Sequence, residues 1–434
     1  RGSWASSLKY HNNRFYLVTF SYTTNKTYIF QTDDIASSGW EMFTLDALYH
    51  DPSLYFEDDR VFLVYGTRDI RIIELTSDVE AVKTDGIHHV LIPAAEDIAG
   101  TDFYVPAEGA HLQKIGDYYY VSLITWPKDK MRTQLVYRSD KLLGEYTGKI
   151  ALQYEGIAQG GFIDTPSGDW YAFLFQDNGA VGRTPYLVPV QWVDNWPILG
   201  TEGSVSTILN ISANKQDISG IVNSDEFNVP TSEVISDGPA ILNGLSLVWQ
   251  WNHNPQAAYW SLTDRPGHLR LINDRIDSDV LHTRNTLTQR TFGPESSATV
   301  LMDVSGLKNG DYAGLGALQQ NYGFVGVRKS LDQNYVVMAL GNADSFVESE
   351  SISIQQDSIY LRISFDFKER RDEARFFYSL DGESWHAIGN ILHMTYTLPH
   401  FMGYRMAMFN FATEQPGGYV DFDFFRITQT AFND

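Results

Sequence analysis

Residues 102–120 read DFYVPAEGAHLQKIGDYYY. Glu108 lies in a short segment flanked by Pro106 and Gly109. A strand is predicted after it, then a tight turn at Gly116-Asp117, then an aromatic strand at Tyr118–Val121. The same pattern occurs three more times. Its aromatic strands are Phe15-Tyr16-Leu17, Phe62-Leu63-Val64, Tyr119-Tyr120-Val121 and Trp170-Tyr171-Ala172, spaced 47, 57 and 51 residues apart. Polar turns precede them at Asn12-Asn13, Glu57-Asp58-Asp59, Gly116-Asp117 and Ser167-Gly168-Asp169. Eleven residues before each strand stand Trp4, Asp51, Glu108 and Gln159. A period near 50 residues with aromatic hairpins fits the blades of a β-propeller. Equivalent innermost positions would then converge on one axis and ring a single cavity with two carboxylates, a Trp and a Gln. The competing reading is a β-sandwich whose hairpins have unrelated lead residues.

Composition narrows the function classes. The chain has 434 residues, 43% hydrophobic and 14% aromatic, enough for two or three domains with large cores. Val, Ile, Thr, Tyr and Phe are abundant and helical heptads are absent, which favours an all-β fold. A formal net charge of −22 argues against nucleic acid, anionic membrane surfaces and polyanionic substrates, and suits a neutral polysaccharide. With no cysteine there are no disulfides and no thiolate chemistry. No stretch has the ~20 apolar residues of a membrane-spanning helix. Asn25-Lys26-Thr27 and Asn210-Ile211-Ser212 match the glycosylation pattern, which is common by chance.

Along the chain, residues 1–200 hold the four repeats and end in QWVDNWPILG. Residues 201–244 shift to Ser, Asn, Asp, Ile and Val, and VNSDEFNVPTSEVISDGPA reads as an extended connector. Residues 245–434 are again aromatic and strand-rich. Alternation or short apolar runs predict strands at Ala298–Val304, Tyr335–Leu340, Ile359–Phe367, Ala374–Tyr378 and Val420–Ile427. Asp381-Gly382 is a hairpin signal, and KERRD at 368–372 is expected to be a solvated turn. This half is expected to be a jelly-roll β-sandwich.

Two carboxylates at repeated axial positions, Asp51 and Glu108, suggest acid–base work on a glycosidic bond. One group protonates the departing oxygen, and negative charge nearby raises its proton affinity. Taken singly, an Asp before Pro and a Glu before Gly are usually turn residues; the shared repeat position lifts them above that.

The segments GSWASSL (2–8), HDPSL (50–54), EGAHL (108–112), GGFIDTP (160–166) and GAVGRTP (179–185) carry a resemblance to glycoside hydrolase family 43. These are five-bladed propeller hydrolases of plant hemicellulose. RNTLTQRTFGP (284–294) and HFMGY (400–404) resemble the C-terminal sandwich of the two-domain β-xylosidases and α-L-arabinofuranosidases. The resemblance implies that Glu108 is the general acid and that Asp51 tunes its pKa and orients the sugar. It also implies that Arg183 holds adjacent sugar hydroxyls with its planar fork, and that Trp4 and Gln159 line the pocket. Against these stand ordinary structural uses: an ion pair for Arg183, blade packing for Trp4, a packed strand residue for His111 and a turn residue for Asp164.

Two departures from the family pattern bear on function. The family's general base is an Asp of the first blade, so it is expected upstream of residue 1. The first blade is then largely absent from this chain, and the N-terminal segment is either truncated or a separate fragment. Asn178 stands where relatives carry a His that helps hold a central calcium, so calcium is allowed but no metal is required.

The expected activity is exo-acting, inverting hydrolysis. It would release terminal α-L-arabinofuranosyl or β-D-xylosyl units from arabinoxylan, xyloglucan or their oligosaccharides. Neutral pentose oligosaccharides would be the partners, and the location secreted or periplasmic. The rival reading is a pentose-oligosaccharide-binding protein without catalysis, against which the joint presence of Glu108, Asp51 and Arg183 argues. The sandwich is expected to have a structural role, and the resemblance implies that Phe401 reaches the rim of the sugar site.

Overall fold

The computed structural model describes residues 4–35, 39–211, 220–228 and 244–432. Gly2 and Ser3 of the first motif, Ser212 of the second glycosylation match and the connector residues 229–243 lie outside this set. The described chain divides into two units, Arg1–Asp177 with Thr184–Ala213, and Asn178–Arg183 with Asn214–Asp434.

In the first unit each repeat is a four-stranded antiparallel sheet. The first holds β1 (Ser7–His11), β2 (Arg14–Ser21), β3 (Lys26–Thr32) and β4 (Glu41–Leu45). The second holds β5 (Ser53–Glu57), β6 (Arg60–Tyr65), β7 (Ile70–Leu75) and β8 (His88–Ile92). The third holds β9 (Phe103–Ile115), β10 (Tyr118–Pro127), β11 (Thr133–Ser139) and β12 (Thr147–Leu152). The fourth holds β13 (Ala158–Asp164), β14 (Trp170–Asp177), β15 (Arg183–Val193) and β16 (Trp196–Leu199). The first hairpin turns on Asn12 and Asn13, at φ 48° and 60°, the left-handed pair that a two-residue turn needs to match strand twist.

The sheets are packed as blades, because each core joins two successive sheets. Val18 and Ile29 of the first pack with Leu54, Leu63 and Ile73 of the second. Phe62 and Ile72 pack with Leu112, Val121 and Leu135 of the third. Tyr120 and Val136 pack with Phe162, Leu174 and Val188 of the fourth. Burying each such side chain stabilises by about 1.5–3 kcal/mol, so these blade-to-blade faces hold successive sheets together. Among the described residues this is a propeller-like arrangement of four blades.

The innermost strands β1, β5, β9 and β13 are successive neighbours. Buried polar ties fix their offsets. Ser53 Oγ donates to the Ala110 carbonyl at 2.6 Å. Gln113 clamps the Phe162 backbone from both sides, donating to its carbonyl at 2.8 Å and accepting from its N–H at 3.0 Å. Thus the strands that carry the candidate residues are locked side to side.

The equal step of eleven residues does not survive in the ladders. The first three hairpins close on the pairs His11/Arg14, Glu57/Arg60 and Ile115/Tyr118. Seven residues before those closing positions stand Trp4, His50 and Glu108, so by this count His50 rather than Asp51 matches Glu108. The fourth hairpin closes later, at Asp164/Trp170, and β13 is irregular between Ala158 and Gly161, which displaces Gln159 from the common count.

The second unit is a two-sheet sandwich. The seven-stranded sheet runs Gln250–Trp251, Leu287–Arg290, Arg405–Ala412, Asp311–Leu318, Tyr322–Ser330, Gln333–Gly341 and Phe346–Ile354. The eight-stranded partner is centred on Tyr419–Thr428, Glu295–Asp303, Ser358–Asp366 and Glu373–Ser379. Leu315, Val325 and Met408 of one sheet meet Val300, Ile363 and Phe422 of the other in one core.

Part of the stretch read as a connector belongs to this sandwich. Asp225 and Phe425 exchange two backbone hydrogen bonds of 2.8 Å, and Asp225 accepts from the Trp249 indole at 2.8 Å. Phe227 is buried against Trp249, their rings 5.9 Å apart. KERRD is likewise more than a solvated turn. The Asp372 carboxylate accepts from the Ala180 N–H at 3.1 Å, and its burial pushes its pKa up.

Candidate active site

Asp51, Glu108 and Gln159 come from three different blades and meet. Asp51 is 7% exposed. The Gln159 side-chain amide donates to its carboxylate at 3.3 Å. One nitrogen of His50 and one carboxylate oxygen each of Asp51 and Glu108 all lie within 4.8 Å of one another. Like charges that close favour keeping a proton in the group.

The backbone is bent to bring these side chains in. Asp51 and Gln159 hold φ values of 44° and 63°. This left-handed region costs a non-glycine residue about 1 kcal/mol or more and tends to cluster at working sites. Gly109, at φ 69°, supplies the room: a Cβ there would fall 2.7 Å from Gln159 Nε2 and 3.0 Å from its Cγ. The Gln159 N–H is in turn held by the Gln134 side chain at 2.8 Å.

His50 joins the group from the position before Asp51. Its Nε2 lies 2.9 Å from Glu108 Oε2 and 3.9 Å from Asp51 Oδ2. Its Nδ1 lies 2.9 Å from the Tyr22 hydroxyl. Burial opposes charge on the ring, but the hydrogen bond to Glu108 and the field of Asp51 outweigh it, and the pKa is raised above 6.5. Burial and the same two carboxylates push the Tyr22 phenol up, so it stays protonated.

Trp4 is 38% exposed and packs its ring on Tyr22 (5.1 Å) and Phe20 (6.0 Å). Phe20 is also 5.2 Å from the His50 ring. Trp4 therefore backs the Tyr22–His50 pair. Arg183 belongs to the second unit. Its guanidinium stacks 4.2 Å over the Phe401 ring, and the Arg183 backbone N–H donates to the Phe401 carbonyl at 2.9 Å. His111 is on β9, where burial and Lys9 push its pKa down to about 3, so it is a neutral imidazole. Asp164 is exposed at the mouth of the fourth hairpin.

Residues 1–197 match the family described as glycosyl hydrolases family 43, and residues 242–428 match the β-xylosidase C-terminal concanavalin A-like domain. The chain belongs to glycosyl hydrolases family 43. It is a glycosidase. A β-xylosidase of Formosa agariphila is 25% identical over 98% of this chain and 77% of its own. A non-reducing end α-L-arabinofuranosidase of Bacteroides ovatus is 25% identical over 64% of this chain and 53% of its own. The solved structure of a bifunctional GH43-CE chain of Bacteroides eggerthii superposes with a TM-score of 0.94 at 45% identity. It is matched by all of this chain, which spans 55% of its length.

Sequence reasoning missed His50 and Tyr22 as members of this side-chain cluster. His50 was visible only as the first letter of HDPSL. Tyr22 lies just beyond β2, in a polar stretch with no motif, and only the folded backbone brings it to His50.

Proposed function

We propose that this chain is an exo-acting, inverting hydrolase that removes terminal α-L-arabinofuranosyl or β-D-xylosyl units from arabinoxylan, xyloglucan or their oligosaccharides. The observation that carries this reading is the approach of Asp51 to Glu108 within 4.8 Å beside His50. Carboxyl pairs that share a sugar with an attacking water stand about 6.5–9.5 Å apart, and nucleophile–acid pairs about 5–5.5 Å. The closer pair here suits an acid and the charge that keeps it protonated, not an acid and its base. Glu108 therefore donates the proton to the departing oxygen. Asp51 holds that proton in place and orients the sugar. The base that activates water is an aspartate other than Asp51.

The remaining assignments rest on resemblance. Gln159 and Trp4 contact the sugar, and Arg183 keeps the hydroxyl-binding role of its family motif. The four blades are read as part of a five-bladed ring. Calcium is not needed for any step above. The neutral pentose substrate suits a chain of net charge −22, and a secreted or periplasmic location suits a polymeric substrate.

The test is to incubate the protein with aryl β-D-xyloside and aryl α-L-arabinofuranoside and follow the first anomer released by NMR. Release with inversion supports the reading, and the relative rates choose the pentose. Release with retention overturns the mechanism, and no release of either sugar overturns the activity.

A further inference from the structure

We propose that His50 is a positioning residue that shares a single proton with Glu108, so that the pair and not the carboxyl alone sets the pH at which the acid is spent. This rests on the reading of Glu108 as the general acid. The geometry is a line of three groups, the hydroxyl of the exposed Tyr22, the half-buried imidazole and the half-buried carboxylate, with 2.9 Å at each link. The groups facing the ring are Tyr22 just beyond β2, Phe20 on β2, the adjoining Asp51 and Glu108 on β9. The charges that act on it, among the described residues, are the two carboxylates, with no cation among them.

Two carboxylates and one imidazole in contact bind protons as a unit. With one proton on the His50–Glu108 pair there are two tautomers. In one, the imidazolium faces a carboxylate. In the other, the N–H bond at Nε2 has broken, an O–H bond has formed on Glu108, and the imidazole is neutral. Only the second can donate to a glycosidic oxygen. When it does, the C–O bond to the sugar breaks, the leaving group departs as an alcohol, and water supplies the hydroxyl to the sugar. The pair then regains a proton from solvent as the base releases one.

The ratio of the tautomers does not change with pH while the pair holds one proton. The rate should therefore stay level until that last proton leaves. For a lone carboxyl the loss would begin near pH 4.3, and for a lone imidazole near pH 6.5. Tyr22 accepts from Nδ1–H in both tautomers, because the proton that moves is the one on Nε2, and so holds the ring in place.

His50→Gln keeps an amide donor for Glu108 but cannot carry the proton. The expected result is that the basic limb of kcat/KM on a pentoside with a poor leaving group moves down by about 1 pH unit or more. Tyr22→Phe should move it the same way by less. An unmoved limb in His50→Gln overturns the proposal. A readout without turnover separates this from failure of the activity itself. The His50 imidazole is followed by long-range nitrogen–proton NMR in the intact chain and identified by its loss in His50→Gln. Its titration should lie above pH 6.5 and fall in Glu108→Gln. An identical His50 titration with and without the Glu108 carboxylate overturns the pairing, whether or not the protein hydrolyses any sugar.

Discussion

Both units bury acids, but they treat them differently. In the sandwich, Asp421 is 2% exposed and is claimed by two arginines. Arg270 grips it with two hydrogen bonds of 2.7 and 2.8 Å, and Arg265 adds a third at 3.2 Å. In the propeller blades, Asp51 is nearly as buried, and its neighbours include another carboxylate, an imidazole and an amide. The strand backbone of Asp421 pairs regularly with Arg270, whereas Asp51 sits at a left-handed φ. A buried acid matched by cations in regular structure is a structural element. An acid brought close to another acid on left-handed backbone is the arrangement found where protons move.

The sharpest way to break this contrast is Glu108→Gln. Loss of a general acid should lower kcat on poor leaving groups by about 10²–10⁴-fold, with little change for aryl leaving groups that need no proton. Equal loss on both classes, in steady-state assays, would remove the acid role. Next is Asp421→Ala, which strands Arg270 and Arg265. Removing one partner of a buried pair costs about 3–5 kcal/mol, so denaturant unfolding should shift strongly while kcat stays within about twofold. A large fall in kcat with unchanged stability would reverse the roles given to the two acids.

Gly109→Ala tests the bent backbone. The new Cβ meets Gln159 and forces a positive φ on alanine, worth about 1–2 kcal/mol. We expect kcat/KM to fall about tenfold as Gln159 is pushed from Asp51, with the Tm lowered by a few degrees. The smallest effect concerns an acid of the propeller that follows the sandwich's rule. Glu74 accepts from Arg60 at 2.6 and 3.0 Å and from Lys83 at 2.7 Å, and these hydrogen bonds hold its pKa near 2 instead of 4.5. A lowered folded-state pKa gives stability that is complete above pH 4.5 and lost as pH falls towards 2. Glu74→Gln should therefore lower stability at pH 7 by about 1 kcal/mol, given that both cations are half-exposed. In thermal melts the difference from wild type should vanish near pH 2.

Much of this was legible in the linear chain. The four hairpins announced themselves through turn chemistry that only certain residues satisfy, such as Asn12-Asn13. The strands of the second half followed from alternation, and the closeness of Asp51 to Glu108 was anticipated from an equal step in sequence. What did not read was anything that depends on how many residues a bulge or turn consumes. An equal step in sequence matched Asp51 to Glu108, whereas the ladders give that place to His50. Tyr22 carries no signal because its role comes from one hydrogen bond across 28 residues. The share of residues 223–228 in the sandwich was hidden because their composition is that of a loop, and the two backbone bonds to Phe425 involve no side chain.

The assignment of Asn178–Arg183 to the second unit has a consequence in time. Ala180 and Val181 are part of the sandwich core, and Ala180 bonds Asp372 and Tyr404 through its backbone. Asp372 is made 192 residues after Ala180. At roughly 5–20 residues per second, a ribosome takes about 10–40 s to deliver it. For that interval an apolar turn of the nascent chain waits without its partners. A polypeptide begun after the connector would never receive that turn at all.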